Sequence, residues 1–137
     1  VERSRGLGDV YKRQSPSKWT STVLTLKQRI ERLSGAEFNT ALLNLYRDGN
    51  DSMGWHQDNE RTLGKNPVIA SLSLGAERKF KFRHIKDKSQ NIDIQLEHGS
   101  LLIMAGQTQH MWKHCLPKTR AVATGRINIT FRNVQED

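Results

Sequence analysis

Arg126-Ile127-Asn128-Ile129-Thr130-Phe131-Arg132 is the stretch that decides how this chain is read. Polar and apolar residues alternate through it without a break. That is the period of a β-strand, in which successive side chains point to opposite faces. Arg126, Asn128, Thr130 and Arg132 therefore share one face, while Ile127, Ile129 and Phe131 are expected to turn the other way, into a core. Two arginines and two neutral polar residues opposite an apolar row form a cradle for a small acid. The planar guanidinium fork meets a carboxylate through two parallel hydrogen bonds.

Outward from this strand the chain offers one helix and many short strands. Val23, Leu26, Ile30 and Leu33 recur at helical spacing. They predict an amphipathic helix from Ser21 to Ser34, capped by Ser21 or Thr22, stopped by Gly35 and packed outside a sheet. Phe38 to Arg47 reads as a strand with Leu42, Asn44 and Tyr46 on one face and Ala41, Leu43 and Leu45 on the other. Asp48-Gly49-Asn50-Asp51 has turn composition, and Met53 to Asp58 is expected as the next strand. Val68 to Leu74 is another. Arg78-Lys79-Phe80-Lys81-Phe82-Arg83 alternates cationic and apolar residues, a half-buried strand with a basic outer face. Ile92 to Leu96 alternates again, and Ser100 to Met104, apolar throughout, is expected at the centre of a sheet. Cys115 to Thr124 reads as a loop before the last strand, Arg126 to Val134. One early helix followed by many short strands predicts a mainly β domain with a flanking helix, a sandwich or jelly roll.

A second motif gives the cradle a chemistry. In His56-Gln57-Asp58 a histidine and a carboxylate stand two residues apart, so on a strand they point the same way. One more histidine completes a two-histidine, one-carboxylate triad, the ligand set of non-haem Fe(II) oxygenases. His84 ends a basic strand and His98 sits in a Glu-His-Gly turn, and both read as surface residues. His110 and His114 lie between two apolar strands, and spacing does not separate them. A metal triad beside a carboxylate cradle describes an iron enzyme with an oxo-acid co-substrate.

At 137 residues the chain is long enough for a single core. A net charge of +8 and a pI near 10.0 favour a polyanionic partner, nucleic acid first and an acidic membrane surface second. Lys79, Lys81, Arg83, Lys86 and Lys88 are candidates for phosphate contacts. A lone cysteine, Cys115, excludes an internal disulfide and suits a reducing compartment. No signal-peptide core and no membrane-length apolar run is present, which reads as a soluble, intracellular protein without a membrane role. Residues 1–14 differ from the rest: Ser4 to Gln14 resembles a translated sequencing-adapter scar and is set aside as non-native. Removing its four basic and two acidic residues lowers the net charge only from +8 to +6.

Several motifs together resemble one family. Asn44-Leu45-Tyr46, His56-x-Asp58-x-Glu60, Ile69 to Gly75, His98-Gly99-Ser100-Leu101-Leu102 and Arg126-x-Asn128-x-Thr130-Phe131-Arg132 are similar to the AlkB family. These are Fe(II)- and 2-oxoglutarate-dependent dioxygenases that repair alkylated nucleic-acid bases. The resemblance runs from about Trp19 to Val134 and is nearest the duplex-DNA repair branch. It implies a double-stranded β-helix, a cupin-like jelly roll. It implies His56, Asp58 and His114 as iron ligands, leaving His110 out, and O2 as the second co-substrate. Asn44, Tyr46, Arg126, Asn128, Thr130 and Arg132 would hold 2-oxoglutarate, the two strand faces meeting inside the barrel. Glu60 and Asn59 match positions near the target base. The implied activity is oxidative demethylation of 1-methyladenine and 3-methylcytosine in DNA, or in RNA, by a monomer in the bacterial cytoplasm or eukaryotic nucleus. Residues 15–137 would then be a dioxygenase domain lacking most of the family's nucleotide-recognition lid. The competing reading is a non-catalytic jelly-roll module that binds nucleic acid or a small acid.

Overall fold

The helix forms where the periodicity places it. In this computed structural model, which describes residues 2–5 and 17–135, α1 spans Ser21–Ser34. Its cap is Thr20 rather than Ser21 or Thr22, because Thr20 is the extended residue whose Oγ1 accepts from Val23 N at 3.2 Å. Gly35 closes the helix in the left-handed conformation, at φ 70°. Val23 and Ile30 are buried, but Leu33, in the last turn, is 68% exposed. Glu31 ties the helix to the next segment, accepting from Lys27 Nζ at 3.0 Å and from Phe38 N at 2.9 Å.

Among the described residues nine strands form: β1 Glu2–Arg5, β2 Thr40–Tyr46, β3 Met53–His56, β4 Ile69–Gly75, β5 Arg78–His84, β6 Asn91–Leu96, β7 Leu101–Met104, β8 Trp112–Leu116 and β9 Arg126–Arg132. A short helix, α2 Thr108–Met111, precedes β8. The strands make two sheets, ordered β1-β2-β9-β4-β7 and β3-β8-β5-β6. This is the expected mainly β jelly roll with a flanking helix. The backbone of Glu2–Arg5 runs parallel to β2. The rest of the segment read as a scar, residue 1 and residues 6–14, lies outside the described residues, as do Ser15 and Pro16.

The larger sheet is buried on both faces around β9. On the outside Val23, Ile30, Phe38, Ala41, Ala70, Ile129 and Phe131 make one apolar cluster under α1. The helix does not reach the far end of the sheet. Ile127, expected in the core, is therefore 41% exposed beside Leu45 and Leu74. Inside, Leu63, Ile69, Phe82 and Met104 pack between the sheets.

Two expectations about strands are corrected, and a third holds. β7 is the edge of the larger sheet, not its centre; β9 holds the middle, pairing with β2 and β4. The faces of Asn44–Tyr46 and of β9 meet as expected, side by side on the buried face of one sheet. β2 and β9 are neighbours in one sheet, with Asn44 opposite Asn128 and Tyr46 opposite Arg126. Cys115 belongs to β8, paired with Lys81, and the loop begins after Leu116.

Candidate metal and co-substrate site

β3 ends at His56, so Asp58 is not on a strand as expected but in the loop just past it. Tertiary hydrogen bonds place it there. Gln57 Nε2 donates to Gln109 O at 2.9 Å and His110 O at 3.3 Å, and Asp58 N donates to Gln109 Oε1 at 2.9 Å. Gln109, fully buried on α2, thus holds the loop that presents the carboxylate.

The result is a cluster of His56, Asp58 and His114 whose candidate ligand atoms all lie within 4.8 Å of one another. His56 stands opposite His114 across the β3–β8 pair. Its Nε2 is 3.9 Å from Asp58 Oδ1, and His114 Nε2 is 3.5 Å from Asp58 Oδ2. His56 Nδ1 lies 2.7 Å from Gly54 O; donating a proton there leaves the Nε2 lone pair facing the cluster. His110 is elsewhere, with Nε2 accepting from Asn66 N at 3.3 Å. Phe80 stacks on His114 at 5.2 Å between centroids and fixes its ring.

Electrostatics favours the ligand form of His56 and of Asp58. Burial lowers the His56 pKa below its ordinary value, and the neighbouring His114 ring lowers it further. Burial alone would raise the Asp58 pKa, but His114, Arg132 and His56 outweigh it and leave the carboxyl below its usual range. Arg132 supplies a direct contact, with Nη2 donating to Asp58 Oδ1 at 3.3 Å.

From this cluster the polar face of β9 runs away along the sheet. Thr130 Oγ1 donates to Asn128 Oδ1 at 2.8 Å, and Asn128 Nδ2 donates to Ser71 Oγ at 2.6 Å and Leu72 O at 3.2 Å. At the far end Arg126 Nη2 donates to Ser73 Oγ at 2.9 Å, and its guanidinium lies 5.3 Å from the Tyr46 ring centroid. Burial lowers the Arg126 pKa and raises that of Tyr46. The alternation of Ser71 and Ser73 on β4 could have marked them as partners of this face. Nothing in the sequence marks Gln57 or Gln109.

The residues fit both an iron and a small acid. Two imidazoles and a carboxylate are the donor set of non-haem iron. Arg126 Nε and Arg132 Nε are buried without a hydrogen-bond partner, and such donors call for an acceptor. Asn59 and Glu60 are exposed on the loop beyond Asp58, outside the cluster.

A family profile described as the 2OG-Fe(II) oxygenase superfamily matches residues 3–132. The chain belongs to that superfamily. Superfamily membership brings Fe(II), 2-oxoglutarate and O2 as cofactor and co-substrates, in agreement with the donor set. The chain is similar to the alpha-ketoglutarate-dependent dioxygenase alkB homolog 3 of Rattus norvegicus, 46% identical over 127 residues that take in 87% of this chain and 43% of that protein. It is 37% identical over 127 residues to the DNA oxidative demethylase ALKBH2 of Homo sapiens, covering 88% of this chain and 49% of that one. The chain thus spans less than half the length of each of these two relatives. The structure of OsALKBH1 shares the fold at a TM-score of 0.63 and 23% identity, over 88% of this chain and 68% of that one. Among the described residues of this superfamily member, no helix is long and apolar enough to cross a membrane.

Proposed function

We propose that this 2OG-Fe(II) oxygenase demethylates N-alkylated bases, 1-methyladenine and 3-methylcytosine, in DNA, with RNA as the second polymer. The observation that carries this reading is the His56–Asp58–His114 cluster at one end of a polar strand face that ends in buried Arg126. Similarity to proteins named as alkB homologues supplies the substrate class.

In this reading His56, Asp58 and His114 hold the iron. Arg126 and Tyr46 receive the distal carboxylate of 2-oxoglutarate, and Arg132 sits at its metal end; Asn44, Asn128 and Thr130 line the space between. Bound iron, with O2 and 2-oxoglutarate, supplies the oxidising power that places one oxygen on the N-methyl carbon. The co-substrate leaves as succinate and CO2. The hydroxymethyl group departs as formaldehyde, and the ring nitrogen is left unmethylated. A paired base is out of reach in a duplex, so the nucleotide is flipped or already single-stranded. Glu60 and Asn59, at the rim, accept from the exocyclic amino group, and Glu60 offsets the positive charge of the methylated ring. Lys79, Lys81, Arg83, Lys86 and Lys88 contact phosphates. The enzyme works as a monomer inside the cell, in the cytoplasm of a bacterium or the nucleus of a eukaryote.

The test is succinate release with Fe(II) and 2-oxoglutarate, with and without an oligonucleotide bearing 1-methyladenine. Release that rises with the methylated oligonucleotide, matched by formaldehyde, supports the reading. Release indifferent to methylation, with the base unchanged by mass, rejects the substrate.

A further inference from the structure

The largest fully buried side chain among the described residues is Arg78, at the start of β5 and 2% exposed. Its hydrogen bonds go to main-chain carbonyls. Nη1 donates to Asp48 O at 3.1 Å, and Nη2 donates to Asp51 O at 2.8 Å and Pro117 O at 2.9 Å. Nε is buried without a hydrogen-bond partner. Two acids stand near enough for their charge to reach it, Asp51 and Asp48. Both Asp51 oxygens accept from Arg47, and Asp48 Oδ1 accepts from Asn50 N. Burying a cation on neutral carbonyls is costly where a neutral donor could serve the same bonds.

The position of that charge gives it a use. The Arg78 guanidinium lies 5.7 Å from the Tyr46 ring centroid, and Arg126 lies 5.3 Å from the same centroid. One phenol therefore has two guanidinium groups against it, at the closed end of the polar face. The charges feel each other: after burial, Arg78 is the main influence holding the Arg126 pKa down. A dry site carrying two neighbouring positive charges favours an anion beyond what one hydrogen-bonded fork provides.

We infer that Arg78 is a positioning and specificity residue for the co-substrate. It holds Tyr46 and the turn Asp48–Asp51 in place, and its charge, acting through Arg126, selects a dicarboxylic 2-oxo acid over a monocarboxylic one of equal chain length. This rests on reading the Arg126 end as the seat of the distal carboxylate. A monocarboxylic acid puts a methyl group there, so its binding isolates the structural part of the role.

Calorimetric titration of the manganese-loaded protein, without O2, with 2-oxoglutarate and 2-oxopentanoate tests the inference apart from turnover. Arg78→Gln should weaken 2-oxoglutarate about tenfold, or about 1.4 kcal/mol, while 2-oxopentanoate changes less than about twofold. Arg78→Lys keeps the charge but loses the planar fork. It should melt at a lower temperature yet retain the preference for the dicarboxylic acid. Equal weakening of both acids in Arg78→Gln, or a lost preference in folded Arg78→Lys, makes Arg78 a structural brace and overturns the inference. If Arg78→Gln does not fold, the preference of Arg78→Lys decides alone. Wild-type protein with no affinity for 2-oxoglutarate would bring down the reading of the site itself.

Discussion

The two ends of β9 both carry an arginine, and they are built for different work. Arg126 lies in a buried corner where its partners are uncharged: a serine hydroxyl, a phenol ring and, behind the ring, a second cation held by carbonyls. Arg132 meets an ionised carboxylate with two imidazoles against it, one of them half-exposed. The strand puts the two ends roughly 20 Å apart at ~3.3 Å per residue. The closed end is finished in the protein alone and can recognise a fixed charge and shape. At the other end Asp58 carries the charge, with Arg132 and the two imidazoles set around it. Substitutions at the two ends should therefore fail differently, one through binding of the acid and the other through the metal.

The largest break is expected at the metal end. His114→Ala removes a ligand atom, and outer-sphere partners of ligands are themselves worth about 10–100-fold, so turnover should fall by more than about 100-fold. Bound iron, measured by elemental analysis, should fall with it while the far-ultraviolet dichroism stays native. A variant that keeps stoichiometric iron takes His114 out of the ligand set. At the closed end, Arg126→Ala should leave iron content unchanged and raise the KM for 2-oxoglutarate. Losing one partner of a buried charge pair costs about 2–5 kcal/mol, roughly 30-fold or more. If iron is lost instead, the two ends are not separable as described.

How well each end was legible follows from how it is made. The closed end is a matter of alternation, so Arg126, Asn128 and Tyr46 could be placed on polar faces from spacing alone. Period does not say which strands adjoin. That β2 lies beside β9, with Tyr46 opposite Arg126 on one face, is set by the sheet and not by the period of either strand. Arg78 shares the inner face with Phe80 and Phe82, and a charge at a strand's first position gives no sign that it is buried. At the metal end the His56–Asp58 spacing was visible but its cause was not. Asp58 is held by Gln57 and Gln109, whose contacts span more than fifty residues of chain. The choice of His114 over His110 came from family resemblance; in the structure β8 sets His114 opposite His56, while His110 lies on α2.

Arg132→Lys probes the contact between strand and metal end more gently. It keeps the charge but loses the fork, including the 3.3 Å donation to Asp58. The change should raise both the metal Kd and the KM for 2-oxoglutarate by about tenfold, the lower range for a group that orients a ligand. A change in the KM alone would make Arg132 an acid-binding residue with no part in holding Asp58.

The smallest expected effect sharpens the closed end and is read in stability. Asp51 is buried and accepts from Arg47 N at 2.8 Å, Nε at 3.0 Å and Nη2 at 3.1 Å. The Arg47 hydrogen bonds hold its pKa below the ordinary 3.8, against the opposing effect of burial. The Arg47 side chain is largely exposed, so solvent screens much of the pair. Asp51→Asn should cost about 1 kcal/mol, lowering the melting temperature by about 3–6 °C. The sign of its pH dependence follows from the depressed pKa. The folded protein holds the proton less readily than the unfolded chain, so the stabilisation is complete above the ordinary value and is lost as pH falls through the lower folded one. The stability difference between wild type and Asp51→Asn should be constant at neutral pH and close as the solution is acidified below about 4. A difference that persists undiminished in acid would mean that Asp51 works by shape and neutral hydrogen bonding.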